Sequence, residues 1–317
     1  MSLSESVNAP FAGLVAQSAK MQNLVAQAMK FAMSDAPLLI QGETGTGKDR
    51  IAKLCHLASP RRHHKFIAVN CAGLPTQDAE SEMFGRREQE TEYVGFFEYA
   101  EGGTVLLDSV AELSLELQAK LLRFLNDGTF RRVGEEKEHY ANVRVICTSQ
   151  VPLQYYVDKG KMRSDLFHRL NVLTLNIPPL RERQEDLPDL VNVFVHQISQ
   201  ELAMPIPHFD THFIQYLQGY PWTGNVRELY NALYRACSLA GEGKLSIEGL
   251  NLIEQDVMPV TLEQFSNQTL EEIMSNFEAT VLRKFYEQYP STRKLATRLG
   301  VSHTAIANKL RQYGINK

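Results

Sequence analysis

The residues best suited to chemistry lie in one glycine-rich run between an apolar stretch, 37–40, and a helical pattern. The run consists of Gly42, Glu43, Thr44, Gly45, Thr46, Gly47, Lys48 and Asp49. This is the layout of a phosphate-binding loop, in which backbone N–H groups and the positive end of a helix dipole face phosphate oxygens. We expect Lys48 to reach the outer phosphates. Asp49 stands where the general pattern has Ser or Thr, and a carboxylate also serves a hard cation. A glycine-rich turn without a ligand is the alternative.

A second acid completes the predicted site. The run Gly102–Asp108 predicts a buried strand that ends in Asp108. Ligands of parallel sheets collect outside the carboxyl ends of the strands. We therefore predict that Asp49 and Asp108 hold Mg²⁺ beside the phosphates of a nucleotide. An aspartate that only ends the strand and starts a turn is the alternative interpretation of Asp108.

Composition and charge limit the class of protein. Of the 317 residues, 44% are hydrophobic and 22% are charged, which is typical of a soluble globular protein with two or three domains. No apolar run reaches the length of a membrane span, and residues 1–11 lack the features of a secretory signal. Four widely spaced cysteines favour reduced, buried thiols, so we expect a cytoplasmic protein without a membrane partner. Residues 283–317 carry eight Lys and Arg against one Glu, a charge of +7 that indicates an anionic partner.

The periodicity of apolar residues predicts the domain organisation. Apolar residues from Leu14 to Phe31 recur at helical spacing and predict the first helix. Strand-like and helical stretches then alternate, which predicts a parallel sheet with helices on both faces. After residue 180 only helical signals remain. The predicted organisation is an N-terminal arm (1–12), an α/β nucleotide-binding subdomain (13–180), a helical lid subdomain (181–250), a linker (251–269) and a helix-turn-helix domain (270–317).

Several runs in this α/β and helical region resemble the AAA+ domain of bacterial enhancer-binding proteins, activators that remodel polymerase carrying the nitrogen-type sigma factor. The runs are Gly42–Asp49, Glu82–Gly85, Gly102–Asp108, Arg163–Val172, Pro178–Arg183 and Tyr220–Leu229. The resemblance implies an AAA+ fold that binds ATP with Mg²⁺. It also implies that Arg163 and Arg169 point into the nucleotide of a neighbouring subunit, whereas Arg227 senses the phosphates within its own subunit. Guanidinium groups suit phosphate chains, and surface salt bridges are the alternative for each arginine.

Two departures from the family pattern bear on activity. Hydrolysing members place Glu directly after the magnesium aspartate to orient the attacking water, and this chain has Ser109. A serine hydroxyl is no general base near neutral pH without help, and we expect the next acid, Glu112, to cap the following helix. The loop with which the family grips its sigma factor is absent between Gly85 and Gly95. We therefore predict nucleotide binding with slow or absent hydrolysis, and no remodelling of that polymerase.

The tail predicts a reader of double-stranded DNA. Residues 292–313 form a helix-turn-helix pattern in which Ser302 caps the second helix. The front of such a helix meets base edges in the major groove, and basic side chains beside it meet phosphates. The apolar stripe of the upstream helix, 270–288, predicts a homodimer contact, with packing inside its own chain as the alternative. The expected DNA-contacting residues are Arg293, Lys294, Ser302, His303, Thr304, Ala305, Asn308, Lys309 and Arg311.

The tail also resembles the Fis-type helix-turn-helix of the same activators. The runs 289–296 and 301–310 are similar to those of one group among them, tyrosine-responsive repressors of aromatic amino acid synthesis and transport genes. The resemblance implies that ATP and tyrosine bind the central domain together and drive assembly from a homodimer to a larger oligomer such as a hexamer. A tyrosine ammonium needs a carboxylate, and Glu82 is the candidate, with a plain surface acid as the alternative. Members usually carry a long sensory region before the nucleotide domain. No such region is seen here, which puts the functions assigned to it, notably activation, in doubt, and the choice between repression and activation stays open.

The sequence thus predicts a DNA-binding regulator, mainly a repressor, whose AAA+ domain binds ATP, Mg²⁺ and an aromatic amino acid as an assembly switch. Its expected partners are operator DNA and copies of itself, with RNA polymerase as a further candidate. Two other functions stay open. One is an ATP-hydrolysing activator that remodels the nitrogen-type sigma polymerase, and the other is a plain helix-turn-helix repressor with an inert nucleotide domain. We expect any ATPase activity to be weak because of Ser109.

Overall fold

The computed structural model describes residues 9–75, 77–240, 243–252 and 269–315. The chain divides into two compact units, Met1–Leu252 and Ile253–Lys317. Most of the predicted N-terminal arm (1–12) and of the predicted linker (251–269) lies outside the described residues. Among the helices that are described, none is long and apolar enough to span a membrane.

A parallel sheet forms the centre of the first unit. The strands of this unit are β1 (Leu38–Gln41), β2 (Phe66–Asn70), β3 (Arg86–Glu88), β4 (Thr91–Tyr93), β5 (Thr104–Asp108), β6 (Thr129–Arg131), β7 (Glu138–Tyr140), β8 (Arg144–Ser149) and β9 (Leu173–Asn176). Five of them make the sheet, in the order β2-β5-β8-β1-β9. Leu38 of β1 pairs with Ile146 on one side and with Leu173 on the other. The three central strands, β5, β8 and β1, are apolar because both of their faces are buried.

Helices cover both faces of this sheet and continue into the lid. They are α1 (Ala19–Ala32), α2 (Lys48–Leu57), α3 (Ala79–Phe84), α4 (Phe96–Tyr99), α5 (Leu115–Asp127), α6 (Leu153–Asp158), α7 (Ser164–Leu170), α8 (Leu187–Glu201), α9 (Thr211–Gly219) and α10 (Asn225–Ala240). Alternate residues of one strand join different cores: Leu39 packs with α3, α5 and α7, and Leu38 and Ile40 pack with α1 and α2. The predicted parallel sheet with helices on both faces is confirmed.

The first helix begins later than its apolar spacing predicts. α1 starts at Ala19 because the Ser18 side chain accepts a hydrogen bond from the backbone N–H of Met21 (3.3 Å), which is an N-cap. Leu14 and Val15 therefore lie outside the helix and line a cleft beside the phosphate loop. The lid region ends in a short 3₁₀ turn, Glu248–Leu250.

Two antiparallel ribbons, β3–β4 and β6–β7, escaped prediction because each of their strands has only three residues. The first ribbon occupies the interval in which the related activators carry their gripping loop. Arg132, which follows β6 and is only 6% exposed, bonds Glu92 of β4 (2.9 Å) and Glu98 of α4 (2.8 Å). The interval is therefore a short hairpin bound to the body of the domain.

The lid and the second unit each have a core of their own. Trp222 packs with residues of α8, α9 and α10 in the lid core. The second unit consists of α11 (Leu270–Gln288), α12 (Thr292–Leu299) and α13 (His303–Gln312). Leu282, Leu295 and Ile306 are at its centre. Gly300 joins α12 to α13 with φ +67°, a conformation that glycine adopts without strain.

Candidate functional site

The phosphate loop joins the carboxyl end of β1 to the start of α2. Gly45 and Gly47 have φ values of +78° and +102°, which favour glycine. Lys48 is the first residue of α2, and its Nζ donates to the carbonyl oxygens of Gly42 (2.8 Å) and Glu43 (3.1 Å). Burial lowers the pKa of Lys48, and the nearby Asp108 and Asp49 oppose that shift. The loop thus places its lysine between the glycine turn and two acids, as a phosphate site requires.

Two carboxylates lie next to Lys48. Asp49 is in the first turn of α2, and Asp108 ends β5. Loss of hydration and the proximity of Asp108 raise the pKa of Asp49, so the two acids repel each other. Paired hard oxygen donors of this kind fit Mg²⁺, which takes its remaining ligands from phosphate and water. Within the described part of the chain, no group of three or more His, Cys, Asp or Glu could hold a metal ion.

Ser109 follows Asp108 in a left-handed conformation (φ +60°, ψ +51°). Its N–H donates to the Thr148 hydroxyl oxygen (3.0 Å), and that hydroxyl in turn donates to the Asp108 carboxylate. Glu112 is the exposed residue of a 3₁₀ turn, Val110–Glu112, whose other two residues are buried. The prediction that Glu112 caps the next helix is wrong, because the cap of α5 is the Ser114 side chain, which accepts from the N–H of Leu117.

The lid contacts the phosphate loop directly. The backbone N–H of Arg227, in the first turn of α10, donates to the Gly45 carbonyl (3.3 Å), and its positive charge lowers the pKa of Lys48 and of Asp49. The structure therefore brings Arg227 to the loop of its own chain, and its role as a phosphate sensor stays a prediction. Asn225, which no pattern in the sequence marks, also binds this loop through its side-chain amide.

An apolar cleft lies beside Gly47 and was also not foreseen. Leu14 and Val15 line it from the N-terminal side, and Phe194 and Val226 line it from the lid. An apolar cleft next to a phosphate loop suits the flat face of a nucleotide base. The signal in the sequence was the apolar pair Leu14 and Val15 shortly before Ser18. Because this pair also fits helical spacing, it was assigned to the first helix.

The two arginines predicted to act on a neighbouring subunit lie on one element. Arg163 precedes α7, and its guanidinium is paired with Asp165 (2.8 Å). Arg169 is in the last turn of the same helix and donates to the Leu125 carbonyl (2.6 Å). Both side chains are exposed. The pairing with Asp165 fits the salt-bridge alternative for Arg163, and the action of either residue on a second subunit stays a prediction.

Glu82, the candidate for the tyrosine ammonium, is exposed on the short helix α3. It does not line the cleft beside Gly47. Its exposed position is compatible with both interpretations, an effector contact or a plain surface acid.

The helix-turn-helix residues fall into two groups. Ser302 caps α13 as predicted, since its Oγ accepts from the N–H of Ala305 (3.2 Å). Lys309, predicted to bind phosphate, is bonded to Glu278 of α11, and Ala305 faces the groove between these two helices. The other predicted DNA-contacting residues are exposed: Arg293, Lys294, His303, Thr304, Asn308 and Arg311.

Comparison with protein families divides the chain in the same way. The family described as a Sigma-54 interaction domain matches residues 14–176. An AAA+ ATPase lid domain matches residues 181–257, and a helix-turn-helix domain matches residues 267–316. Among solved structures, NtrX from Brucella abortus in complex with ATP has a TM-score of 0.72 at 30% identity and covers 96% of this chain and 69% of its own.

Relatives with curated names agree. The HTH-type transcriptional regulatory protein TyrR of Haemophilus influenzae is 65% identical over 308 residues, which is 97% of this chain and 97% of that protein. TyrR of Enterobacter agglomerans is 51% identical, and TyrR of Salmonella typhimurium is 50% identical; this chain spans 60% of the length of each. The phosphate loop, the lid and the capped recognition helix are thus those of an established family, and this chain belongs to the TyrR family of HTH-type transcriptional regulatory proteins.

Proposed function

We propose that this DNA-binding regulator represses genes of aromatic amino acid biosynthesis and transport, and that its AAA+ domain is an assembly switch rather than a motor. The observation that carries the proposal is the combination of an intact phosphate loop with Ser109 at the position of the water-orienting acid. Lys48, Asp49 and Asp108 are assembled for binding. A serine at this position has no carboxylate to orient water.

The residues of the loop bind ATP without a need to cleave it. Backbone N–H groups and Lys48 hold the phosphates, and Asp49 with Asp108 would hold Mg²⁺, which when bound neutralises phosphate charge. The exposed guanidinium groups of Arg163 and Arg169 then reach the phosphates of a neighbouring subunit, where a bidentate donor suits the phosphate oxygens. ATP in this arrangement stabilises the contact between two subunits.

The second unit supplies the DNA contacts and a dimer surface. The exposed fractions of Leu270, Met274 and Phe277 on α11 are 76%, 59% and 59%. An apolar row of this kind on one helix fits a second copy of the same helix. A larger oligomer would present several recognition helices at once, and linked sites raise overall affinity without new base contacts. Repression follows from occupancy of operators near a promoter.

Sedimentation velocity tests the switch. The purified chain is measured with and without ATP, Mg²⁺ and tyrosine, beside Lys48→Ala and the control Lys53→Ala, an exposed lysine of the same helix. We expect ATP with Mg²⁺ and tyrosine to increase the sedimentation coefficient of the wild type and of the control, but not of Lys48→Ala. An unchanged coefficient in the wild type, or rapid ATP hydrolysis, would contradict the proposal.

Tyrosine sensing is a separate part of the proposal. Glu82 supplies a carboxylate for the ammonium group of the amino acid. Glu82→Gln should remove the dependence of assembly on tyrosine and leave ATP binding unchanged, because Glu82 does not line the cleft beside the phosphate loop. If Glu82→Gln still responds to tyrosine, the ammonium is bound elsewhere. We also place the protein in the cytoplasm, where four buried free thiols such as those found here remain reduced.

A further inference from the structure

The carbonyl side of the phosphate loop is occupied by groups from the lid and its connector. Three successive carbonyl oxygens, those of residues 44–46, each accept a hydrogen bond. The donors are Asn225 Nδ2 to Thr44 (3.0 Å), the Arg227 N–H to Gly45 (3.3 Å) and Arg183 Nη2 to Thr46 (3.1 Å). Phosphates bind the opposite, N–H side of such a loop. The loop backbone is therefore held from one side by the lid and is available to phosphate on the other.

Asn225 is the centre of these contacts. Its side chain is fully buried, and its backbone has φ +54°. Besides the bond to Thr44, its Nδ2 donates to the Glu43 carboxylate (3.1 Å), and its Oδ1 accepts from the N–H of Leu180 (2.7 Å). One amide thus joins the loop, the connector to the lid and the first residue of α10. An asparagine tolerates this left-handed conformation better than most residues.

Two further features leave the lid little freedom over the loop. Arg181 donates to both carboxylate oxygens of Glu43, at 2.8 and 2.6 Å, and this pairing lowers the pKa of Glu43. A Cβ atom on Gly45 would lie 2.1 Å from the carbonyl oxygen of Gly224, so the lid backbone packs directly on the loop. A shift of the loop backbone must therefore move the lid or break these bonds.

We propose that Asn225 is a positioning residue that couples nucleotide at the phosphate loop to the order of lid helix α10. The coupling deepens the assembly switch proposed above, because an ordered lid is what a neighbouring subunit would meet. Phosphate fixes the loop from its N–H side, and the Asn225 amide passes that restraint to the lid from the carbonyl side. Without the amide, the loop still offers its N–H groups and Lys48 to phosphate, but the lid no longer responds.

The sharpest perturbation is Asn225→Asp. The aspartate keeps an acceptor for the Leu180 N–H, but it replaces the donor to Thr44 and Glu43 by an oxygen that repels both. Asn225→Gly is the second variant, because glycine keeps the φ of +54° without strain while it removes the amide. Asn231→Ala, an exposed residue of the same helix, is the matched control. Circular dichroism establishes whether each variant is folded.

The readout is hydrogen exchange of the 225–240 amides with and without ATP and Mg²⁺, together with ATP affinity from titration of a fluorescent ATP analogue. For the wild type and Asn231→Ala we expect ATP to slow exchange of these amides about 10-fold, within the range of ordinary site-to-site coupling. For both Asn225 variants we expect less than about 2-fold slowing, with ATP affinity within about 5-fold of the wild type.

The outcomes separate the two proposals. If ATP slows lid exchange through Asn225 but leaves the sedimentation coefficient unchanged, the coupling stands and the assembly switch fails. If the wild-type lid does not respond to ATP, or if a folded Asn225 variant keeps the full response, the coupling is overturned. If only Asn225→Gly folds, the effect of ATP on lid exchange in that variant alone decides whether the coupling stands. If neither variant folds, Arg181→Gln, which weakens the hold on Glu43, should lower the slowing by at least about 2-fold, and an undiminished response overturns the coupling.

Discussion

Replacing Ser109 by glutamate should turn this binding site into an ATPase. Ser109 directly follows Asp108 at the carboxyl edge of the sheet, beside the predicted magnesium and phosphate positions. The new carboxylate would take the position from which related enzymes orient the attacking water. Ser109 already has a left-handed backbone, so another L-residue with a Cβ adds little new strain there.

The size of the gain follows from two opposing terms. A positioned general base contributes about 10²- to 10⁴-fold, or roughly 2.7–5.4 kcal/mol of barrier. Holding a free glutamate side chain in one conformation costs about 1.5–2 kcal/mol, or roughly 10- to 30-fold. We therefore expect phosphate release by Ser109→Glu to be about 3- to 10³-fold faster than that of the wild type. A general base must be ionised to accept a proton, so the rate of Ser109→Glu should fall when the pH is lowered far enough to protonate the new carboxylate.

The assay is steady-state phosphate release at saturating ATP and Mg²⁺. Ser109→Gln is the matched control, because glutamine has the shape of glutamate but cannot act as a base. The double variant Ser109→Glu with Lys48→Ala measures the background rate of phosphate release. Equal rates for the Glu and Gln variants, with ATP still bound, would refute the reasoning. A wild-type rate already typical of a motor and unchanged in Ser109→Ala would refute it as well.

Three further predictions concern charges outside the phosphate loop or at its edge. Lys309 is bonded to Glu278, so Glu278→Gln should free the Lys309 ammonium for a DNA phosphate. The slope of log DNA affinity against log salt concentration should then become steeper by about 0.9. The control Glu271→Gln should leave this slope unchanged. Arg144 is 1% exposed and donates to the last two carbonyls of α1. Arg144→Met should therefore lower the free energy of unfolding, measured by urea titration, by about 2–4 kcal/mol. A smaller loss would show that water takes over the hydrogen bonds of the guanidinium group. Because burial and a neighbouring acid raise the folded pKa of Asp49, its ionised form costs stability above that pKa. Asp49→Asn should thus raise the melting temperature at neutral pH without Mg²⁺. The gain should shrink as the pH falls below the folded pKa and vanish at the lower pKa of the unfolded chain. Calorimetry at several pH values measures this gain, and a gain that persists at that lower pKa would contradict the prediction.

The amino-acid sequence by itself determined the chemistry that depends on neighbours in the chain. The order strand, glycine turn, Lys48 and helix is local, and so is the cap that Ser302 makes for α13. The sheet strands were recognisable from their short, largely apolar runs, which are continuous in the central strands because both faces of those strands are buried. Three-residue ribbons have too few side chains to show a period, so β3–β4 and β6–β7 were found only in the structure.

Only the tertiary structure decided which of several compatible partners each charged or polar group has. Lys309 is bonded to Glu278 and not left free for DNA, although its sequence position fits either state. The clearest case is Asn225, whose amide meets Glu43 across 182 positions of the chain. No local pattern specifies that pairing, because it arises when the lid core, with Trp222 at its centre, packs against the phosphate loop. Burial leaves such an amide one set of bonds that satisfies it, and that set exists only in the folded chain.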